Sequence, residues 1–285
     1  MDVALNITRR CNKGCSYCYL RLEDTDLPLE QIQAILGSLT DVETVTLTGG
    51  EPLMHPEFSE VLSSVSNREH HIHLLTNGIL LEGRTLERIA DSEAELFVTY
   101  NGHNKRIQVN ITRAYEQGLD VNVHHVLTQK SVSALDRVCD DVGFAKSILL
   151  LYPTNVGNDS VMMYEPETWF DLLDRATGIT KKHGIKTYFE QAFARKGSAL
   201  AINQPCPTGE DIFIDVNGRS YPCCLLVDLV GGRDNIGPIP YTAQRCEILR
   251  KNQLSSDSDY IRICPIAITD RYDGEFQFPS HLEEL

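Results

Sequence analysis

Cys11, Cys15 and Cys18 lie in the run Cys11-Asn-Lys-Gly-Cys15-Ser-Tyr-Cys18, directly after a stretch, Val3 to Thr8, that reads as the first β-strand. Three thiolates converging from one short loop can hold three corners of a 4Fe-4S cube and leave the fourth iron without a protein ligand, open to a substrate. Other cysteine chemistry suits the spacing less well. A structural zinc site usually presents two paired knuckles, and a disulfide framework belongs to short secreted chains. A thioredoxin-like C-x-x-C pair would leave Cys11 without a role. A second element, Leu47-Thr48-Gly49-Gly50-Glu51-Pro52, closes a strand that begins near Thr44. Alone, such a run is a tight turn with a solvated acid. After a second strand it sets two glycines and a carboxylate at the same sheet end as the cysteines.

The pair of motifs resembles the signature of the radical S-adenosylmethionine (radical SAM) enzymes. The resemblance implies that the open iron chelates the amino and carboxylate groups of SAM and that an electron from the cluster yields a 5'-deoxyadenosyl radical, which abstracts hydrogen. It also implies that Gly49 and Gly50 let the backbone approach the methionine part of SAM, that Glu51 accepts from its ammonium group, and that Tyr17 lies near the adenine. Other strand ends supply further SAM contacts. Thr76 and Asn77 end the third strand. Thr99 and Asn101 end the fourth, where relatives often have Ser-x-Asp-Gly contacting the ribose. The Asn in place of Asp leaves two readings, an amide on the ribose or an Asn-Gly turn. His124 and His125 alternate across the fifth strand, so one faces inward, as a structural histidine.

Those motifs need parallel strands to carry them. Strands are expected near Val3 to Thr8, Thr44 to Leu47, Ile72 to Thr76, Leu96 to Tyr100, Val121 to Leu127 and Ile148 to Tyr152. Helical stretches such as Leu29 to Leu39, Arg84 to Ala90, Ile107 to Gln117 and Val132 to Val142 separate them. Six such βα units, too few for a closed eight-fold barrel, imply an α/β fold with an open, partial (β/α)6 barrel, as in the family, spanning residues 1–185.

Residues 186–285 change character. Cysteines recur at Cys206, Cys223, Cys224, Cys246 and Cys264, and Asp211 to Val216, Asn217-Gly218 and Arg219 to Cys223 read as a hairpin. Cys206, Gly218 and Cys223 resemble the opening of a SPASM or twitch extension, which implies a small domain holding one auxiliary iron-sulfur cluster, 4Fe-4S by expectation. Cys206, Cys223 and Cys264 are its expected ligands, with Cys224 or Cys246 as a further one. Cys246, in an expected short helix, is also a candidate hydrogen-atom donor. Cys139 reads as a small buried apolar residue.

The start Met-Asp-Val-Ala-Leu lacks a basic leader, and no apolar run reaches the roughly 18 residues of a membrane span. Nine cysteines then point to a reducing cytoplasm and to metal ligation. A net charge of −14 argues against nucleic acid and favours a cationic peptide, amine or amino-sugar, although solubility alone also explains it. The resulting expectation is an oxidoreductase- or epimerase-type radical SAM enzyme acting on a peptide or protein side chain, by crosslinking, oxidation or epimerisation. A flavodoxin or ferredoxin would supply electrons, and peptide recognition would fall to a separate carrier protein or be direct. The alternatives are a dehydrogenase or epimerase of aminoglycoside-like substrates and a non-catalytic metal-binding protein.

Overall fold

The computed structural model describes residues 2–39, 41–68, 70–153, 164–190, 193–195, 212–221, 224, 227 and 260–262. Six βα repeats build the body: β1 (Asp2–Asn6), α1 (Leu29–Ser38), β2 (Thr44–Thr48), α2 (Phe58–Ser66), β3 (His71–Thr76), α3 (Gly83–Asp91), β4 (Glu95–Thr99), α4 (Lys105–Glu116), β5 (Val121–Val126), α5 (Leu135–Asp141), β6 (Ser147–Leu151) and α6 (Pro166–Lys182). Later come β7 (Thr187–Phe189), β8 (Phe193–Arg195), β9 (Ile212–Ile214), β10 (Ser220–Tyr221) and β11 (Tyr260–Arg262). One sheet runs in the order β10-β9-β1-β2-β3-β4-β5-β6-β7, parallel from β9 to β7, while β8 and β11 form a separate antiparallel pair. This is the expected open partial barrel.

Strand alternation sorts the side chains. Val3, Leu5, Val45, Leu47, Ile72, Leu74, Leu96, Val98, Val121, Val123, Ile148 and Leu150 are buried on the face that carries the helices. The apolar stripes of α1 (Ile32, Ile35, Leu36), α4 (Ile107, Ile111, Ala114) and α6 (Trp169, Leu172, Leu173, Ala176) close over that face. Two of these helices start where their sequences allow. Asn104 caps α4 by accepting from the amides of Arg106 and Ile107, and Pro166 opens α6.

Two details of the helices differ from expectation, and the expected hairpin forms. The helix expected over Val132 to Val142 begins as a 3-10 turn, Ser131–Ala134, because the Ser131 hydroxyl donates to the Val126 carbonyl and its oxygen accepts from the Thr128 amide, so the chain enters tightly. Helix α2 was not foreseen from a serine-rich segment whose Ser63, Ser64 and Ser66 hydroxyls fold back onto carbonyls of their own helix. The hairpin at Asn217-Gly218 forms between β9 and β10, with Gly218 at φ 74° and the Asp215 carboxylate accepting from the amides of Asn217 and Arg219. Strand β9 pairs parallel with β1, so this segment extends the same sheet.

Candidate active site

The cysteine loop is closed at its base before any cofactor is considered. Thr8 bridges Asp26 across the stems, Arg9 N–H donates to the Thr25 carbonyl at 2.9 Å, and Leu27 N–H donates to the Ile7 carbonyl at 2.9 Å. The Asp26 carboxylate then takes the Thr8 hydroxyl at 2.6 Å and Arg10 Nε at 2.9 and 3.1 Å. That fork fixes both ends of the segment presenting Cys11, Cys15 and Cys18. Nothing in the sequence reading singled out Thr8, Arg10 or Asp26. A carboxylate one loop length after the cysteines has no motif of its own.

The Gly49-Gly50 turn holds the loop against β2. Gly50 N–H donates to the Thr8 carbonyl at 2.7 Å and Glu51 N–H to the Arg10 carbonyl at 2.8 Å. A Cβ on Gly49 would stand 2.5 Å from the Thr8 carbonyl oxygen. One on Gly50 would overlap the Arg10 carbonyl and lie 2.9 Å from that of Arg9. The close approach that needs glycine is therefore made by the stem of the cysteine loop, and the Gly50 and Glu51 amides are already engaged there.

Glu51 is 0% exposed. Its carboxylate accepts from the Thr76 hydroxyl at 2.7 Å, Asn77 N–H at 2.6 Å and Leu53 N–H at 3.2 Å. Burial pushes its carboxyl above the ordinary value, and these three donors pull in the opposite direction. In this arrangement the carboxylate ties the end of β2 to the end of β3.

Asn77 carries that tie to the cysteines. Its amide nitrogen donates to Asn12 Oδ1 at 2.7 Å and approaches Cys11 Sγ at 3.9 Å, while Lys13 N–H donates to the same sulfur at 3.4 Å. Cys18 N–H closes a turn on the Cys15 carbonyl at 3.2 Å. The Tyr17 hydroxyl receives Asn101 Nδ2 at 3.2 Å. Asn101 Oδ1 accepts Val126 N–H at 3.1 Å. Burial, then the neighbouring thiols, push the Tyr17 phenol up, so it stays protonated.

The three cysteines are half-buried on this one loop, with Asn77 beside Cys11 and Asn101 beside Tyr17. Among the described residues no three His, Cys, Asp or Glu side chains converge on a single metal ion. A 4Fe-4S cube distributes its three protein ligands over three different irons, so it does not ask for such a point. The donor set fits the group: thiols with polar donors aimed at sulfur. Burial pushes the Cys11 thiol up, and ligation would displace its proton.

Thr99 ends β4 in register with His124. His124 lies on the interior face and packs on Phe97, ring centroids 5.4 Å apart, which in turn meets His73 at 4.7 Å. His125 lies on the helix-covered face, where Nδ1 donates to the Tyr100 carbonyl at 3.2 Å. Cys139 is buried in α5, as expected of an apolar residue, and burial pushes its thiol up to about 11. Cys224 is half-buried against the core. Cys206, Cys223, Cys246 and Cys264 lie outside the described residues.

A family model described as the radical SAM superfamily matches residues 5–147, and the chain belongs to that superfamily. It is 28% identical over 269 residues to a protein named probable GTP 3',8-cyclase from Methanothermobacter thermautotrophicus, a match covering 82% of this chain and 88% of that protein. It is 31% identical over 103 residues to the antilisterial bacteriocin subtilosin biosynthesis protein AlbA of Bacillus subtilis, covering 34% of this chain and 23% of AlbA. In fold it is similar to SuiB of Streptococcus suis, solved bound to the precursor peptide SuiA. That likeness has a TM-score of 0.72 at 16% identity, over 84% of this chain and 63% of SuiB. The protein is a radical SAM enzyme, whose family carries a 4Fe-4S cluster and SAM. No helix among the described residues is long and apolar enough to cross a membrane.

Proposed function

We propose that the chain cleaves SAM reductively and abstracts hydrogen from a side chain of a peptide or protein, with crosslinking, oxidation or epimerisation as the outcome. The observation that carries the first half is the cysteine loop hydrogen-bonded through its stem to the Gly49-Gly50-Glu51 turn. A 4Fe-4S cluster on Cys11, Cys15 and Cys18 would supply the electron for SAM cleavage. The chain's own residues fix the loop, hold donors on its sulfurs and orient Tyr17.

The interior face supports a peptide. On β2 to β6 that face presents Thr44, Thr46, Thr48, His71, His73, Leu75, Glu95, Phe97, Thr99, Asn122, His124, Val126, Ser147, Leu149 and Leu151, with no Lys or Arg among them. Burial pushes His124 down to about 4, so it is neutral at working pH. Beside these strands Lys146 meets Glu95 at 3.5 Å but is already paired with Asp120 at 2.6 Å, so a triphosphate on this face would find little positive charge among the described residues of β2 to β6. SuiB, bound to its precursor peptide, and AlbA, named for bacteriocin biosynthesis, support the same reading. The second reading is cyclisation of a nucleotide, carried by the likeness to probable GTP 3',8-cyclase over most of both chains.

The auxiliary cluster on Cys206, Cys223 and Cys264, with Cys224 or Cys246 as a further ligand, belongs to this proposal. So does Cys246 as hydrogen-atom donor in an epimerisation, in which case solvent deuterium enters the product. The substrate test follows the abstracted atom. Reconstituted protein is given SAM, reductant and either a perdeuterated peptide pool or perdeuterated GTP. Deuterium in 5'-deoxyadenosine from the peptides alone supports the proposal, and deuterium from GTP alone overturns it.

A further inference from the structure

Asn77 follows β3 with both ends of its side-chain amide engaged by the protein, and the direction of those bonds is fixed by chemistry. Ile79 N–H can only donate, so the atom facing it at 3.0 Å is Asn77 Oδ1. The other end is therefore the NH2 group, which meets Asn12 Oδ1 at 2.7 Å and Cys11 Sγ at 3.9 Å. The residue cannot turn away. Its own N–H is held by Glu51 Oε2 at 2.6 Å, and buried Asn110 of α4 donates to the carbonyls of Gly78 and Ile79 at 2.9 and 3.2 Å. Lys13 N–H reaches the same sulfur at 3.4 Å, so donors from two loops converge on Cys11.

We propose that Asn77 tunes the iron-sulfur site through Cys11: its NH2 group, aimed by the Ile79 amide and the Asn110 clamp, donates to the ligating sulfur and raises the reduction potential of a cluster bound there. A thiolate accepts more strongly than a thiol, and hydrogen bonds to ligating sulfur stabilise the more negative, reduced cluster. With both ends of the amide committed to protein atoms, this side chain serves the cluster site rather than SAM. An aspartate at 77 would keep the Ile79 bond and put a carboxylate oxygen where the NH2 group stood. A serine would keep an acceptor for the turn and reach neither Asn12 nor the sulfur.

The test uses reconstituted, reduced protein without SAM or substrate, so it does not depend on the peptide reading. Asparagine is labelled with the heavy nitrogen isotope at its side-chain amide, and the cluster is followed by pulsed electron paramagnetic resonance. The relevant signal is the one absent from a variant with Cys11, Cys15 and Cys18 replaced by Ala. A coupling of that signal to the labelled nitrogen is expected in the wild type, kept in Asn12→Asp and lost in Asn77→Ser. In redox potentiometry of the same signal, Asn77→Ser should lower the midpoint potential, and Asn77→Asp should lower it further because the carboxylate adds charge. A wild-type signal with no coupling overturns the proposal. So does a coupling that survives in Asn77→Ser, or an unchanged midpoint in that variant. The wild-type and Asn12→Asp spectra keep the test decisive if Asn77→Ser fails to hold a cluster: coupling in both supports the proposal, and its loss in Asn12→Asp overturns it.

Discussion

Replacing Glu51 by Gln keeps the shape of the side chain and tests whether its carboxylate serves the fold or the ligand. One carboxylate oxygen receives Thr76 and Leu53 N–H, the other Asn77 N–H at 2.6 Å. In the better orientation of the amide, the glutamine oxygen keeps the first two donors and its NH2 faces Asn77 N–H. That loses one charge-assisted bond and leaves a buried donor unmet, about 1.5 to 3 kcal/mol. The two retained bonds weaken as they lose the charge. Against this, Gln removes the burial penalty that pushes the Glu51 carboxyl up. The balance is a loss of about 2 kcal/mol, close to thirtyfold in the folding equilibrium. Trp169, the single tryptophan and fully buried in α6, reports unfolding in urea. The midpoint should fall at unchanged slope, and Thr76→Val should fall less and couple with it in a double-mutant cycle. An unchanged midpoint with weakened SAM binding would refute this reasoning and return the carboxylate to the ammonium of SAM.

Gly50→Ala should abolish stable cluster uptake and cost about 2 to 4 kcal/mol, because its Cβ meets loop backbone. Gly14→Ala, with nothing within 4 Å, should not; normal iron uptake in Gly50→Ala would contradict the close approach. Asp26→Ala should lower iron retention by the loop more than Asp24→Ala, since the Asp24 side chain is 82% exposed, and equal losses would sink the fork's role. Buried His125 has its pKa pushed down to about 4, below its ordinary 6.5. The unfolded chain therefore binds the proton first as pH falls, so the stability His125 confers is complete above about pH 6.5 and is lost toward pH 4, up to about 3 kcal/mol. His125→Phe should shallow that acid limb in urea midpoints taken from pH 7 to 4, and an identical slope would refute it.

The sheet was legible because six β-branched runs keep a period of two between amphipathic segments, so β1 to β6 fall within a residue or two of expectation. Helix α2 carried the same kind of signal, Phe58, Val61, Leu62 and Val65 at i, i+3, i+4 and i+7, and was missed in spite of it. At the site, Cys11, Cys15, Cys18 and the Gly-Gly-Glu turn were readable from types and spacing. What the glycines approach was not, because the stem of the cysteine loop comes to lie on β2 only through the parallel pairing of β1 with β2. The Asp26 fork and the Asn101 contacts were equally hidden. Each rests on partners 16 to 84 positions apart, with no local pattern to mark them.

The most direct measurement of the account is 5'-deoxyadenosine formed from SAM by reconstituted protein and reductant, comparing the wild type with the variant in which Cys11, Cys15 and Cys18 are all Ala. The account predicts the product in the wild type and none in the variant. Equal yields from the two proteins would contradict it.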